Sequence, residues 1–113
     1  MNVAARREDG VLHLVLTGDD ELDLHCAQSV KDQARALIDG SEDFVVDLSC
    51  VIFVDSAGLG ALVGIYKTAR STGRKANFIC AHPTVMEIVS IIQLDRLLDF
   101  HPDATAARRS LAG

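Results

Sequence analysis

No apolar run in the chain approaches the ~18 residues that a membrane-spanning helix needs. Met1 to Gly10 contain no hydrophobic stretch of the kind a secretory signal carries. A cytoplasmic protein without membrane insertion is therefore expected. Basic charge is also scarce: 11 Lys and Arg face 16 Asp and Glu, a net charge of −5, which argues against nucleic-acid binding. Arg6-Arg7 and Arg108-Arg109 are isolated pairs and read as solvated surface. Cysteine is limited to Cys26, Cys50 and Cys80, odd in number, widely spaced and without a Cys-x-x-Cys. Reduced, mostly buried thiols fit that pattern better than disulfides or a metal. His13, His25, His82 and His101 lack metal-ligand spacing and read as core-edge or surface residues. Neither glycine-rich phosphate motif occurs, so nothing indicates a nucleotide cofactor.

What is present is a chain of 113 residues, 49% hydrophobic and 24% charged, with no internal repeat and no linker. That predicts one globular domain over residues 1–113, large enough to bury an ordinary core. Val11–Leu16, Phe44–Leu48 and Asn77–Cys80 are apolar runs of strand length, and Val51–Val54 continues the second. Leu22–Ile38 places Ala27, Val30, Ala34, Leu37 and Ile38 on one helical face, with Gly40 suited to end the helix. A helix after Ser56 is read from Leu59, Leu62, Val63 and Tyr66. Another opens at His82-Pro83, with Val85, Ile88, Val89 and Ile92 as its face. Leu97, Leu98 and Phe100 suggest a short last strand, and Pro102–Leu111 a terminal helix. Continuous apolar strands alternating with helices predict an α/β fold with a mostly parallel, covered sheet.

The most informative stretch is Asp55-Ser56-Ala57-Gly58-Leu59-Gly60, where a strand gives way to a helix. Ser56 is expected at or beside the first helical residue, where free N–H groups and the helix dipole favour negative charge. Two glycines in a first helical turn are locally unfavourable, and such breaches of local rules gather at functional sites. Two enzymatic readings fail. Ser56, Asp95 and His101 follow the chain order of a hydrolase triad, but the nucleophile elbow requires glycine where Val54 stands. Asp19-Asp20 with Asp47 or Asp55 resembles the carboxylate set of a response-regulator receiver. The last lysine, however, is Lys75, too early for the one a receiver uses near its final strand.

Val45-Val46-Asp47-Leu48-Ser49, followed after a short link by Val54-Asp55-Ser56-Ala57-Gly58-Leu59-Gly60-Ala61-Leu62, resembles the STAS domain. More narrowly it is similar to bacterial anti-sigma factor antagonists, over about Val11 to Phe100. The resemblance implies a STAS fold with a sheet of four to five strands and about four helices. It also implies a non-enzymatic protein without cofactor or metal, phosphorylated at Ser56 by an anti-sigma factor that is itself a GHKL-type serine kinase. A phosphatase would reverse the modification. By the same resemblance Asp23, Asp55, Ser56, Ala57, Gly58, Leu59 and Gly60 form the partner surface. The turn before Leu22-Asp23 is two residues longer than is usual in the family, and it is Asp23 that matches the family's loop aspartate. Two other outcomes remain open: a STAS subunit of a lipid-transport ABC complex, or a regulator linked to chemotaxis or stress. The second glycine and Leu59-Gly60-Ala61-Leu62 favour the antagonist over the transporter subunit.

Overall fold

The computed structural model describes residues 1–112. Elements follow in the order β1 (Asn2–Glu8), β2 (Val11–Thr17), β3 (Glu21–Leu22), α1 (Ala27–Leu37), β4 (Phe44–Asp47), β5 (Phe53–Val54), α2 (Ser56–Thr72), β6 (Ala76–Ile79), α3 (Pro83–Ile91), β7 (Asp99–His101) and α4 (Ala104–Ala112). A 3₁₀ turn over Leu94–Arg96 joins α3 to β7. The main sheet has five strands in the order β1-β2-β4-β6-β7, antiparallel only between β1 and β2. The expected α/β fold with a mostly parallel sheet and four helices is what the chain adopts.

The interior strands read as unbroken apolar runs because both of their faces are covered. Phe44, Val45 and Val46 of β4 are all inaccessible to solvent. One face of the sheet, with Leu12, Leu14, Leu16, Phe44, Val46 and Phe78, packs on Val30 and Ala34 of α1, Leu62 and Ile65 of α2, and Val85 and Val89 of α3. The other face carries Val45 and Ile79 against Ala107 and Leu111 of α4.

The structure corrects several boundaries. The helix expected from Leu22 begins at Ala27, because Glu21 and Leu22 pair in parallel with Phe53 and Val54 as a separate small sheet. Leu22 is fully buried there, as apolar in a strand as it would be in a helix. The buried stripe of α2 runs through Gly58, Ala61, Leu62, Ile65 and Ala69, while Val63 and Tyr66 are only half-buried. Small residues, weak as hydrophobic signals, make this helix's close contacts. Strand β1 was not anticipated: its exposed Ala4-Ala5-Arg6-Arg7-Glu8 segment has no apolar period, and backbone pairing with β2 defines it. The last strand starts at Asp99, after Leu98 has entered the core, and leaves Leu97 exposed. Ile92 also lies exposed, at the end of α3, whereas Val85 and Val89 are buried as expected. His13 is not an edge residue; it is 2% exposed in the middle of β2. Cys26 and Cys80 are buried, Cys50 is exposed, and all three thiols are free.

Phe44 sits at the centre of the sheet with no solvent exposure. Phe44→Ala is expected to lower unfolding free energy by about 3–5 kcal/mol. Urea denaturation would show this as a lower midpoint with an unchanged slope.

Candidate functional site

The site is built where β5 runs into α2. Asp55 takes extended backbone angles and caps the helix, its Oδ1 accepting the Gly58 N–H at 2.8 Å. The second oxygen of the same carboxylate accepts the Leu24 N–H at 3.0 Å. One side chain thus ties the start of α2 to the segment between β3 and α1. That segment is further tied by backbone bonds, Asp55 N–H to the Leu22 carbonyl at 3.3 Å and Ile52 N–H to the Asp20 carbonyl at 2.8 Å. The Asp55 carboxyl is held below its ordinary pKa, chiefly by the Gly58 N–H, against partial desolvation and with further help from the Leu24 N–H.

Gly58 is required by this junction. A Cβ on it would lie 2.1 Å from the Leu22 carbonyl oxygen, a backbone atom that cannot swing aside. Gly60 differs: a Cβ there would meet nothing within 4 Å. The two glycines of the first turn therefore serve different ends. Gly58 admits the chain's own β3–α1 segment, and Gly60 leaves open surface.

Ser56 is the first residue of α2, where the sequence placed it, and it is exposed. The capping side chain is that of Asp55, so the Ser56 hydroxyl is not needed to terminate the helix. Asp23 stands immediately before the clamped Leu24, and its carboxylate accepts the His25 N–H at 3.0 Å in a tight local turn. Its backbone carbonyl accepts the N–H groups of Cys26 and Ala27, which starts α1. The longer turn is accommodated through Asp19, whose Oδ1 accepts the Asp20 and Glu21 N–H groups before β3 begins. Of the seven residues expected on a docking surface, Asp23, Asp55, Ser56, Ala57, Leu59 and Gly60 are at least partly accessible. Gly58 is buried, and its contribution is to let the loop bearing Asp23 close on the helix.

Sequence reasoning missed Leu24 and Lys31. Leu24 is 73% exposed, the most exposed large apolar side chain among the described residues, and its apolar character within an acidic run was the available signal. A groove of 270 Å³ lies between α1 and α2 beside Ser56, lined by Leu24, Ala27, Gln28, Lys31, Ala57, Gly60 and Ala61. No group of three or more His, Cys, Asp or Glu that could hold a metal occurs among the described residues. No helix there is long and apolar enough to cross a membrane.

The two glycines give opposite expectations. Gly58→Ala should destabilise by about 1–3 kcal/mol, because the new methyl must displace backbone. Gly60→Ala should stabilise by up to about 1 kcal/mol, because alanine is the better helix former and the space is free. Thermal unfolding of both variants would check the pair. The lowered Asp55 pKa adds a pH dependence. Because the folded value is depressed, its contribution is complete above about pH 4 and disappears as pH falls through the folded value. Asp55→Asn should remove that part of the acid sensitivity.

Comparison with known proteins bears on this site. The profile of the STAS domain matches residues 2–107. The chain is 26% identical over 113 residues to an anti-sigma F factor antagonist of Paenibacillus polymyxa, covering 98% of this chain and 95% of that protein. Its fold is similar to the crystal structure of an anti-sigma factor antagonist from Mycobacterium paratuberculosis, with a TM-score of 0.85, 23% identity, and coverage of 99% and 94% of the two chains. It is also similar to an anti-sigma-factor antagonist domain protein of Planctomyces limnophilus, with a TM-score of 0.89 at 15% identity over 100% of both chains.

Proposed function

Given that the chain belongs to the STAS domain family, we propose that it is a phosphorylation-switched anti-sigma factor antagonist. Unphosphorylated, it binds an anti-sigma factor that doubles as a serine kinase, and so releases that protein's other client. Phosphorylation of Ser56 ends the binding, and a phosphatase restores it. The protein is a non-catalytic cytoplasmic partner in this cycle. The observation that carries the reading is the exposed Ser56 on the first turn of α2, beside open Gly60 and the groove between α1 and α2. The name borne by relatives that cover nearly the whole chain supports it.

The local electrostatics supply a mechanism. A phosphate brings about −1.5 to −2 charges. It would arrive beside the Asp55 carboxylate, which already takes the Gly58 N–H. The new dianion cannot use that donor without displacing a carboxylate, so its charge projects outward into the docking face. A partner that must desolvate this charge loses affinity tenfold for each ~1.4 kcal/mol of penalty.

Incubation with the cognate GHKL-type kinase and ATP, followed by mass spectrometry, should place the phosphate on Ser56. Phosphate on Ser49, Ser71 or Thr72 with Ser56 untouched would refute the assignment. In calorimetry, Ser56→Ala should bind the kinase as the unmodified chain does. Ser56→Asp should bind more weakly, and Gly60→Arg, whose side chain fills the open surface, should not bind. Equal affinity for all of these would place docking elsewhere, and stable recovery with a transport ATPase would favour the scaffold role.

A further inference from the structure

On the face of the sheet opposite α1 and α2, α4 packs over β4, β6 and β7, and beside it on β2 lies a buried imidazole that has no partner for one ring nitrogen. Val11, His13 and Val15 point to one side of β2, and Val11 packs with Val45, Ile79, Ala107 and Leu111 in the α4 cluster. His13 lies in register with Val45 of that cluster on one side and with Arg6 of β1 on the other. It is 2% exposed, and its Nε2 has no hydrogen-bond partner. Neutral imidazole tolerates that position; imidazolium, with a second N–H to satisfy and a charge to solvate, does not.

The charged neighbours deepen the conflict. Arg6 on β1 and Arg108 on α4 oppose a positive charge at His13, while Glu8 on β1 and Asp47 on β4 favour it less strongly. Both carboxylates are already engaged: Glu8 lies 3.7 Å from Arg6 and 3.5 Å from Arg108, and Asp47 accepts the Ser49 N–H and hydroxyl. On β6 the residue in the same row is Asn77, which donates to the Ala107 carbonyl at 2.9 Å, and Asp99 on β7 follows one strand further on; His101, two residues along β7 and in register with Ile79, is half-buried on the same face and its Nε2 also lacks a partner. The attachment of α4 is slight. It consists of the buried Ala107 and Leu111, the partly buried Ala104, the Asn77 bond and the Arg108 ion pairs to Glu8 and Asp9 at 3.5 Å each.

We infer that α4 is an acid-released strap: when His13 takes a proton, the helix leaves this face of the sheet and uncovers Val45, Asn77 and Ile79. The sign follows from burial. In the closed state burial, with Arg6 and Arg108, holds the His13 pKa below its ordinary value; in the opened state the ring regains solvent and its pKa moves back toward the ordinary histidine value of about 6.5. Opening is therefore independent of pH above that value and is favoured as pH falls below it. The device lies across the sheet from Ser56, so its failure would leave the phospho-switch reading untouched.

Hydrogen exchange of the full chain, followed by NMR and corrected for the intrinsic pH dependence of exchange, tests it. The opening constant for residues 104–112 should rise by about tenfold per pH unit below about pH 6.5. The amides of Val46 and Phe78 should keep their protection over the same range. His13→Leu and His13→Gln should each abolish the pH dependence of α4, whereas His101→Gln should retain it. In the unsubstituted chain the His13 ring signals should titrate in step with α4 opening, a readout independent of how the variants fold. Unchanged α4 protection in acid would overturn the proposal. So would pH dependence that persists in a folded His13 variant, or loss of protection in β4 and β6 together with α4.

Discussion

A single carboxylate holds the candidate site together. Asp55 accepts one N–H from its own helix and one from a segment 31 residues earlier in the chain. The first bond satisfies a donor that helix geometry would leave unpaired. The second brings Asp23 and Leu24 to the start of α2. The second arrangement needs Gly58 to lack a side chain, since the Leu22 carbonyl occupies the space a Cβ would need. The Asp55 carboxylate, the bare Gly58 and the Leu22 carbonyl therefore form one constraint. Ser56 stands beside this junction without being part of it. Among the described residues its hydroxyl has no hydrogen-bond partner, so its covalent state can change while its neighbours keep the backbone in place.

The sheet divides the molecule into two unequal halves. On one side three helices bury Leu14, Phe44, Val46 and Phe78 in a broad core. On the other, α4 covers a narrow strip of Val45, Asn77 and Ile79, with the buried His13 on the neighbouring strand. Local stability follows the amount of buried contact. The broad side gives the candidate site a well-packed base. The narrow side is held by fewer contacts, and the proposed release of α4 would be governed there by the polar groups.

Where covered strands and a phased helix dominate, the sequence was readable. Phe44-Val45-Val46 could hardly be anything but an interior strand, and Pro83 marked the first residue of α3 as expected. The start of α2 at Ser56 was legible for a similar reason, because Asp55 is a good cap and the apolar pattern changes period there. What could not be read depends on distant partners. Glu21-Leu22 is a strand only because Phe53-Val54 lies beside it, and two residues carry no period of their own. β1 has an exposed pattern because it is an edge strand whose order comes from backbone pairing. The burial of His13 depends on its place between β1 and β4, with Arg108 of α4 brought near it from the other end of the chain. The purpose of Gly58 was visible only as a violation, and the atom that explains it belongs to Leu22.

The measurement that tests the Asp55 junction most directly is an NMR titration of the backbone amides into acid. If one carboxylate accepts both bonds, the Leu24 and Gly58 amide protons should shift together, with a common midpoint below the ordinary aspartate value of about 3.9. Both shifts should vanish in Asp55→Asn. Separate midpoints for the two amides, or no response at Leu24, would contradict the clasp.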